Sequence, residues 1–124
     1  MEKHPIYPQR IRKVPRQFSW IDQRLVRERY IDRCSHRSAA LYLFLVTVAD
    51  AQGMSYYGDR SVCQRLAMDQ ESLEKARREL VGLDLIAWQR PLYQVLALGD
   101  TPLQRPAGRL QPLAQILRQI GGAP

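Results

Sequence analysis

The stretch "SVCQRLAMDQESLEKARRELVGLDLI", residues 61–86, decides the fold, because it holds two helical patterns separated by a short polar step. Asp59 predicts the start of a short helix with an inward face, formed by Val62, Cys63 and Leu66. Asp69 predicts the start of a second helix, whose apolar residues recur at helical spacing: Leu73, Ala76, Leu80 and Leu83. A separation of about two residues forces a sharp crossing, which is the geometry of a helix-turn-helix.

The chain before this stretch divides into a basic arm and two further helices. Residues 1–17 predict an extended arm, because Pro5, Pro8 and Pro15 leave too few amide donors for a stable helix. Ser19 predicts the cap of a first helix, with Ile21, Leu25 and Tyr30 on one side.

A long apolar pattern predicts the central helix of the fold. Ser35 or Ser38 is its expected cap, and Gly53 is its expected left-handed terminator. Apolar residues cover nearly its whole circumference, which is typical of a buried helix. Trp20 and Trp88 stand in apolar neighbourhoods and are interpreted as core anchors, the alternative being platforms on which bases stack.

The remaining segments predict a small β component and a C-terminal extension. "MSYY", residues 54–57, predicts a short strand, and "LIAWQ" and "LYQVLAL" predict a hairpin around Arg90 and Pro91. Residues 99–108 are a linker by composition, and residues 109–124 predict a short amphipathic tail, with Leu113, Ile116, Leu117 and Ile120 on one face. The fold class is therefore mainly α with a small β-hairpin, an α+β fold, with its domain at residues 18–98.

Composition excludes several classes of protein. The chain has 124 residues and two distant cysteines, Cys34 and Cys63, which argue against both a disulfide framework and a zinc site. The longest apolar run, residues 41–49, is too short to cross a membrane, and no secretory signal follows the basic N-terminus, so a cytoplasmic protein is expected. His4 and His36 are isolated and no glycine-rich phosphate loop occurs, so neither catalysis nor a cofactor is expected.

The positive charge is concentrated at the front of the chain. The formal net charge is +7, and residues 1–37 hold ten Lys/Arg against four Asp/Glu. Residues 59–86 hold five basic and six acidic residues, so the helix-turn-helix region is close to neutral. Such a charge distribution favours a polyanionic partner that meets the arm.

The segment "SAALYLFLVTVADAQGMSYYGDRSVCQRLAMDQESLEKARRELVGLDLI" resembles the winged helix-turn-helix domains of phage and plasmid replication-organiser proteins and of primosomal DnaD-like proteins. The shared features are a helix rich in Leu and Tyr, a short strand, an "LA" turn and a leucine-isoleucine strand start, within roughly residues 36–98. The resemblance implies a winged helix-turn-helix in which residues 61–67 are the supporting helix and residues 70–83 the recognition helix.

Three positions depart from the family pattern. Asp84 stands where the family has glycine, which is tolerable because Asp can adopt the left-handed conformation. Arg77 replaces a core leucine and is expected to tilt the helix or to expose one side of it. Glu71 and Glu74 occupy outward positions where carboxylates repel phosphates.

The candidate DNA contacts lie on the recognition helix, on the arm and at the hairpin. An amide, a hydroxyl and two cations on one helix can supply base-edge and phosphate contacts; here they are Gln70, Ser72, Lys75 and Arg78. The arm can follow a backbone or a minor groove with Arg10, Arg12, Lys13 and Arg16, and the hairpin adds Arg90. The alternatives are a solubilising arm and a solvated helix face with the charge pairs Glu71–Lys75 and Glu74–Arg78.

These patterns favour a protein that binds double-stranded DNA, in bacterial or mobile-element replication, partition or transcription control. The alternative is a winged helix used as a protein-interaction module. The apolar tail adds a possible homodimer or a protein partner, and no membrane association is expected.

Overall fold

The computed structural model describes residues 2–99, which form a mixed α+β fold. The α-helices are α1 (Arg24–Arg27), α2 (His36–Val48), α3 (Asp59–Leu66) and α4 (Gln70–Gly82), and the strands are β1 (Met54–Tyr56), β2 (Ile86–Gln89) and β3 (Leu92–Val95). Two 3₁₀ turns lie at Pro8–Arg10 and Ile31–Arg33. Each helix within residues 2–99 is too short or too polar to cross a lipid bilayer. The linker beyond Gly99 and the amphipathic tail lie outside the described residues.

The first helix is shorter than predicted and does not start at Ser19. Asp22 accepts a hydrogen bond from the Arg24 backbone N–H at 2.9 Å, which places the start of α1 there. Arg29 has a φ of +63° and interrupts the helical path before the 3₁₀ turn. Of the predicted apolar side, Leu25 and Tyr30 are buried whereas Ile21 is exposed, so no continuous stripe supports a longer helix.

Helix α2 begins as predicted at Ser35, whose Oγ accepts a hydrogen bond from the Ser38 backbone N–H at 3.1 Å. Leu41 and Leu45 are fully buried where α2 packs against α4 and β3. Leu43 is exposed, so one side of this helix faces solvent, contrary to the expectation of burial all round.

Gly53 does not terminate α2, which ends five residues earlier at Val48. It has the expected positive φ, +86°, but it lies in the turn that leads into β1. Its carbonyl accepts a hydrogen bond from the Val95 N–H at 2.8 Å, so the turn joins the end of the sheet. A Cβ atom at this position would lie 2.6 Å from the Val95 carbonyl oxygen, and only glycine fits.

Helices α3 and α4 are joined by a turn of three residues, 67–69. Ala67 is left-handed with φ +53°, and the next N–H, from Met68, donates to the Cys63 carbonyl at 3.1 Å. Asp69 caps α4 as predicted, accepting from the Ser72 N–H at 2.7 Å. Gly58, not Asp59, is the N-cap of α3, which leaves the Asp59 carboxylate for other partners.

The three strands form one antiparallel sheet in the order β1-β3-β2. β2 and β3 are the predicted hairpin, in which Trp88 pairs with Tyr93, and the Arg90–Pro91 peptide bond between them is cis. Asp84 has φ +66°, the left-handed conformation expected for it, and so turns the chain from α4 into β2. The predicted inward series of α4 is buried at Leu73, Ala76 and Leu80 and half-buried at Leu83.

Candidate nucleic-acid interface

The outward face of α4 presents two cations to solvent. Lys75 and Arg78 are exposed and three residues apart, on one side of the helix. Neither side chain forms a hydrogen bond or an ion pair with another residue in the range 2–99. The alternative pairs Glu71–Lys75 and Glu74–Arg78 are therefore not formed, and both cations are open to a phosphate.

Gln70, a predicted base contact, is held by carboxylates. Its Nε2 donates to Asp59 Oδ2 at 2.6 Å and to Glu74 Oε2 at 3.1 Å. Both amide protons are thereby used inside the protein, so a base contact through them requires a change of rotamer. Ser72 is half-buried and supplies its backbone N–H to the cap at Asp69.

Arg77 is a buried cation, only 4% exposed, so it does not open its side of α4 to solvent. Its Nη1 donates to Asp59 Oδ1 at 2.9 Å and to the Tyr93 hydroxyl at 2.8 Å. The guanidinium carbon lies 3.7 Å from the centre of the Trp88 ring. The hydrogen bond from Arg77 lowers the pKa of the Asp59 carboxyl, so the pair is ionised at neutral pH.

This arginine cluster, formed by Asp59, Arg77, Trp88 and Tyr93, joins four elements. Its members come from α3, α4, β2 and β3 respectively. Each polar contact has a direction set by hydrogen-bond geometry, so the cluster fixes the orientation of α4 relative to the hairpin. The cluster was missed at the sequence level, where the only signal was a cation in a leucine position.

Glu79 connects the other flank of α4 to the start of α2. Its Oε1 accepts hydrogen bonds from the Ser35 backbone N–H at 2.7 Å and from the hydroxyl of Ser38. The bond from Ser38 is the largest cause of a lowered pKa at Glu79. The helix that carries Lys75 and Arg78 is thus held on both sides by ionised carboxylates.

The hairpin contributes one predicted cation, Arg90. It is exposed, and its guanidinium carbon lies 5.5 Å from the centre of the Trp88 ring, the same ring that Arg77 contacts. Stacking on Trp88 restricts the position of Arg90 and leaves its exposed edge for a phosphate.

The described part of the arm, residues 2–17, is exposed throughout and contains the 3₁₀ turn Pro8–Arg10. Its four predicted contacts form no ion pair with any residue in the range 2–99; they are Arg10, Arg12, Lys13 and Arg16. The arm joins the domain beside the end of α2, where the Ser19 hydroxyl donates to the Thr47 carbonyl at 3.2 Å.

The two tryptophans differ in their surroundings. Trp88 is half-buried against Arg77 and Tyr93, in agreement with its predicted core role. Trp20 is 73% exposed, and its interpretation as a core anchor was wrong, because its apolar neighbours in sequence, Phe18 and Ile21, are exposed as well.

Comparison of the chain with protein-family models, with curated proteins and with solved structures finds no match. Within residues 2–99, three or more His, Cys, Asp or Glu side chains are nowhere grouped so as to hold a metal ion.

Proposed function

We propose that the chain is a winged-helix protein that binds double-stranded DNA, with α4 in the major groove and the arm along the backbone or in the minor groove. The arrangement of elements supports this proposal. A strand between α2 and α3 pairs with the hairpin that follows α4, so β1 lies at one edge of the sheet. That order matches a helix-turn-helix followed by a β-hairpin wing.

The observation that carries the proposal is a set of exposed cations left without ion pairs among residues 2–99. Among the predicted DNA contacts the set comprises Arg10, Arg12, Lys13, Arg16, Lys75, Arg78 and Arg90; other exposed cations without an ion pair in this range are Lys3, Arg27, Arg33, Arg37, Arg60 and Arg65. Cations that a protein does not neutralise internally release counterions when they meet phosphates, and this release drives duplex binding.

The arm supplies the larger share of this charge, since Glu71 and Glu74 offset the two cations on the exposed side of α4. Its root lies beside Thr47, about 18 Å along α2 from the contact between Ser35 and Glu79. Seventeen fully extended residues span at most about 55 Å, and although the 3₁₀ turn Pro8–Arg10 shortens this reach, the arm is long compared with that separation. In this proposal the protein is a non-catalytic cytoplasmic factor of replication, partition or transcription control in a bacterium or a mobile element.

The second candidate is a protein-interaction module, and the surface of α4 favours it at one point. Val81 is exposed on the same helix as the mixed charges Glu71, Glu74, Lys75 and Arg78. An apolar side chain within a near-neutral surface suits a protein partner better than a phosphate backbone.

A mobility-shift assay with several duplexes at two salt concentrations separates the two functions. We expect Lys75→Ala with Arg78→Ala to weaken binding to all duplexes and to reduce the salt slope by about one for each lost phosphate contact. Serine at the four arm cations should reduce the slope further. Gln70→Ala should affect one preferred sequence only, if the amide reads a base.

Arg29→Ala is the matched control, because it removes an exposed cation that is already paired with Asp32 at 3.1 Å. It should bind as the wild type does. If the α4 and arm variants also bind every duplex like the wild type, the DNA proposal fails. Loss of a protein partner by the α4 variant in the same preparation would then support the interaction module.

A further inference from the structure

Two aromatic rings at the root of the arm stand open to solvent. Phe18 is 62% exposed and Trp20 is 73% exposed. Between them, the hydroxyl of Ser19 donates to the Thr47 carbonyl, which fixes this part of the chain against the end of α2. The backbone between the two rings is thus anchored to the domain, while the rings themselves contribute little to its core.

Both rings line a cleft of about 450 Å³. Its other walls come from α2, with Tyr42 and Val46, and from the chain after β3, with Leu96 and Leu98. A cleft of this volume is within the range of sites that hold small organic molecules, and its walls are mostly apolar or aromatic.

The charged groups of the cleft are already engaged. Asp22 is paired with Arg24 at 2.7 Å, and Asp50 Oδ1 accepts the backbone N–H groups of Gln52 and Met54, both at 2.9 Å. These carboxylates exclude a phosphate from the cleft but leave its walls open to an uncharged ring.

The segment leading to the rings has the charge that a polyanion requires. Residues 2–21 contain five Lys/Arg and a single acidic residue, Glu2. Arg12, Lys13 and Arg16 precede Phe18 within six residues, all exposed. Cations beside exposed aromatic rings are the combination that binds single-stranded nucleic acid, because phosphates pair with the cations and unstacked bases stack on the rings.

We infer that the root of the arm binds single-stranded DNA, with bases stacked on Phe18 and Trp20 at the mouth of the cleft and the backbone along the arm cations. A duplex cannot use these rings in the same way, since its base faces are already stacked. This function goes beyond duplex binding and does not use α4.

Titration of the full chain with a labelled oligo(dT), followed by anisotropy, tests the inference. Phe18→Ala and Trp20→Ala should each weaken oligo(dT) binding by about 5- to 150-fold, the range for loss of one base stack. Trp20→Phe should retain most of the wild-type affinity for oligo(dT), because phenylalanine keeps an aromatic face. The ratio of the oligo(dT) dissociation constants of Trp20→Ala and the wild type should persist at high salt. A purely electrostatic contribution to that ratio would vanish.

Val26→Ala is the matched control, since Val26 is an exposed apolar residue, 66% accessible, on α1. It should bind oligo(dT) like the wild type. The double variant Lys75→Ala/Arg78→Ala should also leave oligo(dT) binding unchanged while it weakens duplex binding. The two assays therefore distinguish failure of the single-strand proposal from failure of the duplex proposal.

Two results would overturn the inference. One is equal affinity of the wild type, Phe18→Ala and Trp20→Ala for oligo(dT). The other is self-association of the wild type, seen by sedimentation without DNA, that Trp20→Ala abolishes, because the rings would then dock on a second copy. Both side chains are exposed, so the variants should fold, and urea unfolding of each variant checks this.

Discussion

At the scale of single residues, Arg77 stands where leucine was expected by resemblance alone, and it shows that a charge can be buried on the inward side of a helix. The cation keeps a carboxylate, a hydroxyl and an aromatic face within contact distance, so its burial is compensated.

We predict that Arg77→Ala lowers the free energy of unfolding by about 2–4 kcal/mol, because it leaves the Tyr93 hydroxyl without this donor and Asp59 with the neutral Gln70 amide in place of a cation. Urea unfolding measures this. Arg78→Ala is the control and should change stability by less than about 0.5 kcal/mol. Combining Arg77→Met with Asp59→Asn should cost less than the sum of the single changes, and additive costs would contradict the coupling.

The Asp59–Arg77 pair also predicts how the free energy of unfolding depends on pH. The folded pKa of Asp59 lies below its unfolded value of about 3.9, mainly through the hydrogen bond from Arg77. Its contribution is therefore complete above the unfolded pKa and is lost as the pH falls through the lower, folded pKa. Asp59→Asn should flatten the pH dependence of urea unfolding below about pH 4. Parallel wild-type and variant curves would exclude this origin.

At the scale of elements, Gly53 and Gly82 make a contrasting pair. Gly53 joins the end of the sheet in a left-handed conformation with no room for a Cβ, whereas Gly82 lies in the last turn of α4 with open space around it. Position 53 therefore requires glycine, whereas position 82 has room for a side chain.

We expect Gly53→Ala to destabilise the fold by about 1–3 kcal/mol, through backbone strain and the clash with Val95. Gly82→Ala should raise stability by about 0.4–1 kcal/mol, because alanine favours the helix and restricts the unfolded chain. Thermal or urea unfolding compares the two. A neutral Gly53→Ala would mean that the turn rearranges freely.

Local signals account for the parts of the fold that were predicted from sequence. The cap at Asp69, the left-handed Asp84 and the hairpin each depend on residues close together in the chain, and the structure confirms them. Ala67 is left-handed without any residue-type signal, since alanine rarely adopts that conformation. The partners of Arg77 lie 18 and 16 residues away, so no local pattern identifies them.

At the scale of the whole molecule, charge and packing are separated along the chain. Residues 2–17 carry exposed cations and contribute no buried side chain, while the described core begins at Leu25. Packing of the core therefore does not involve the arm, whereas the proposed DNA binding depends on the arm. The linker and the amphipathic tail stay predictions, because residues 100–124 lie beyond the described residues. The same holds for a homodimer formed through the apolar face of the tail, which includes Leu117.

Deletion of residues 1–17 should leave the free energy of unfolding within about 0.5 kcal/mol of the wild type, as expected for surface residues. The same deletion should weaken duplex binding and flatten its salt dependence, because five cations without ion pairs are lost, four of them predicted DNA contacts. Urea unfolding and a mobility-shift assay on the same sample measure both. A large loss of stability would show that the arm packs against the domain.

The bond between Glu79 and the start of α2 bears on how the helices form. The first turn of α2 has no acidic residue and carries Arg37, a charge that opposes the positive pole of the helix dipole. The compensating carboxylate comes from Glu79, 44 residues beyond Ser35. This end of α2 has a local cap at Ser35 but receives its carboxylate only when α4 docks, so part of its stabilisation is tertiary. Amide protection in the first turn of α2 accordingly reports whether α4 is seated.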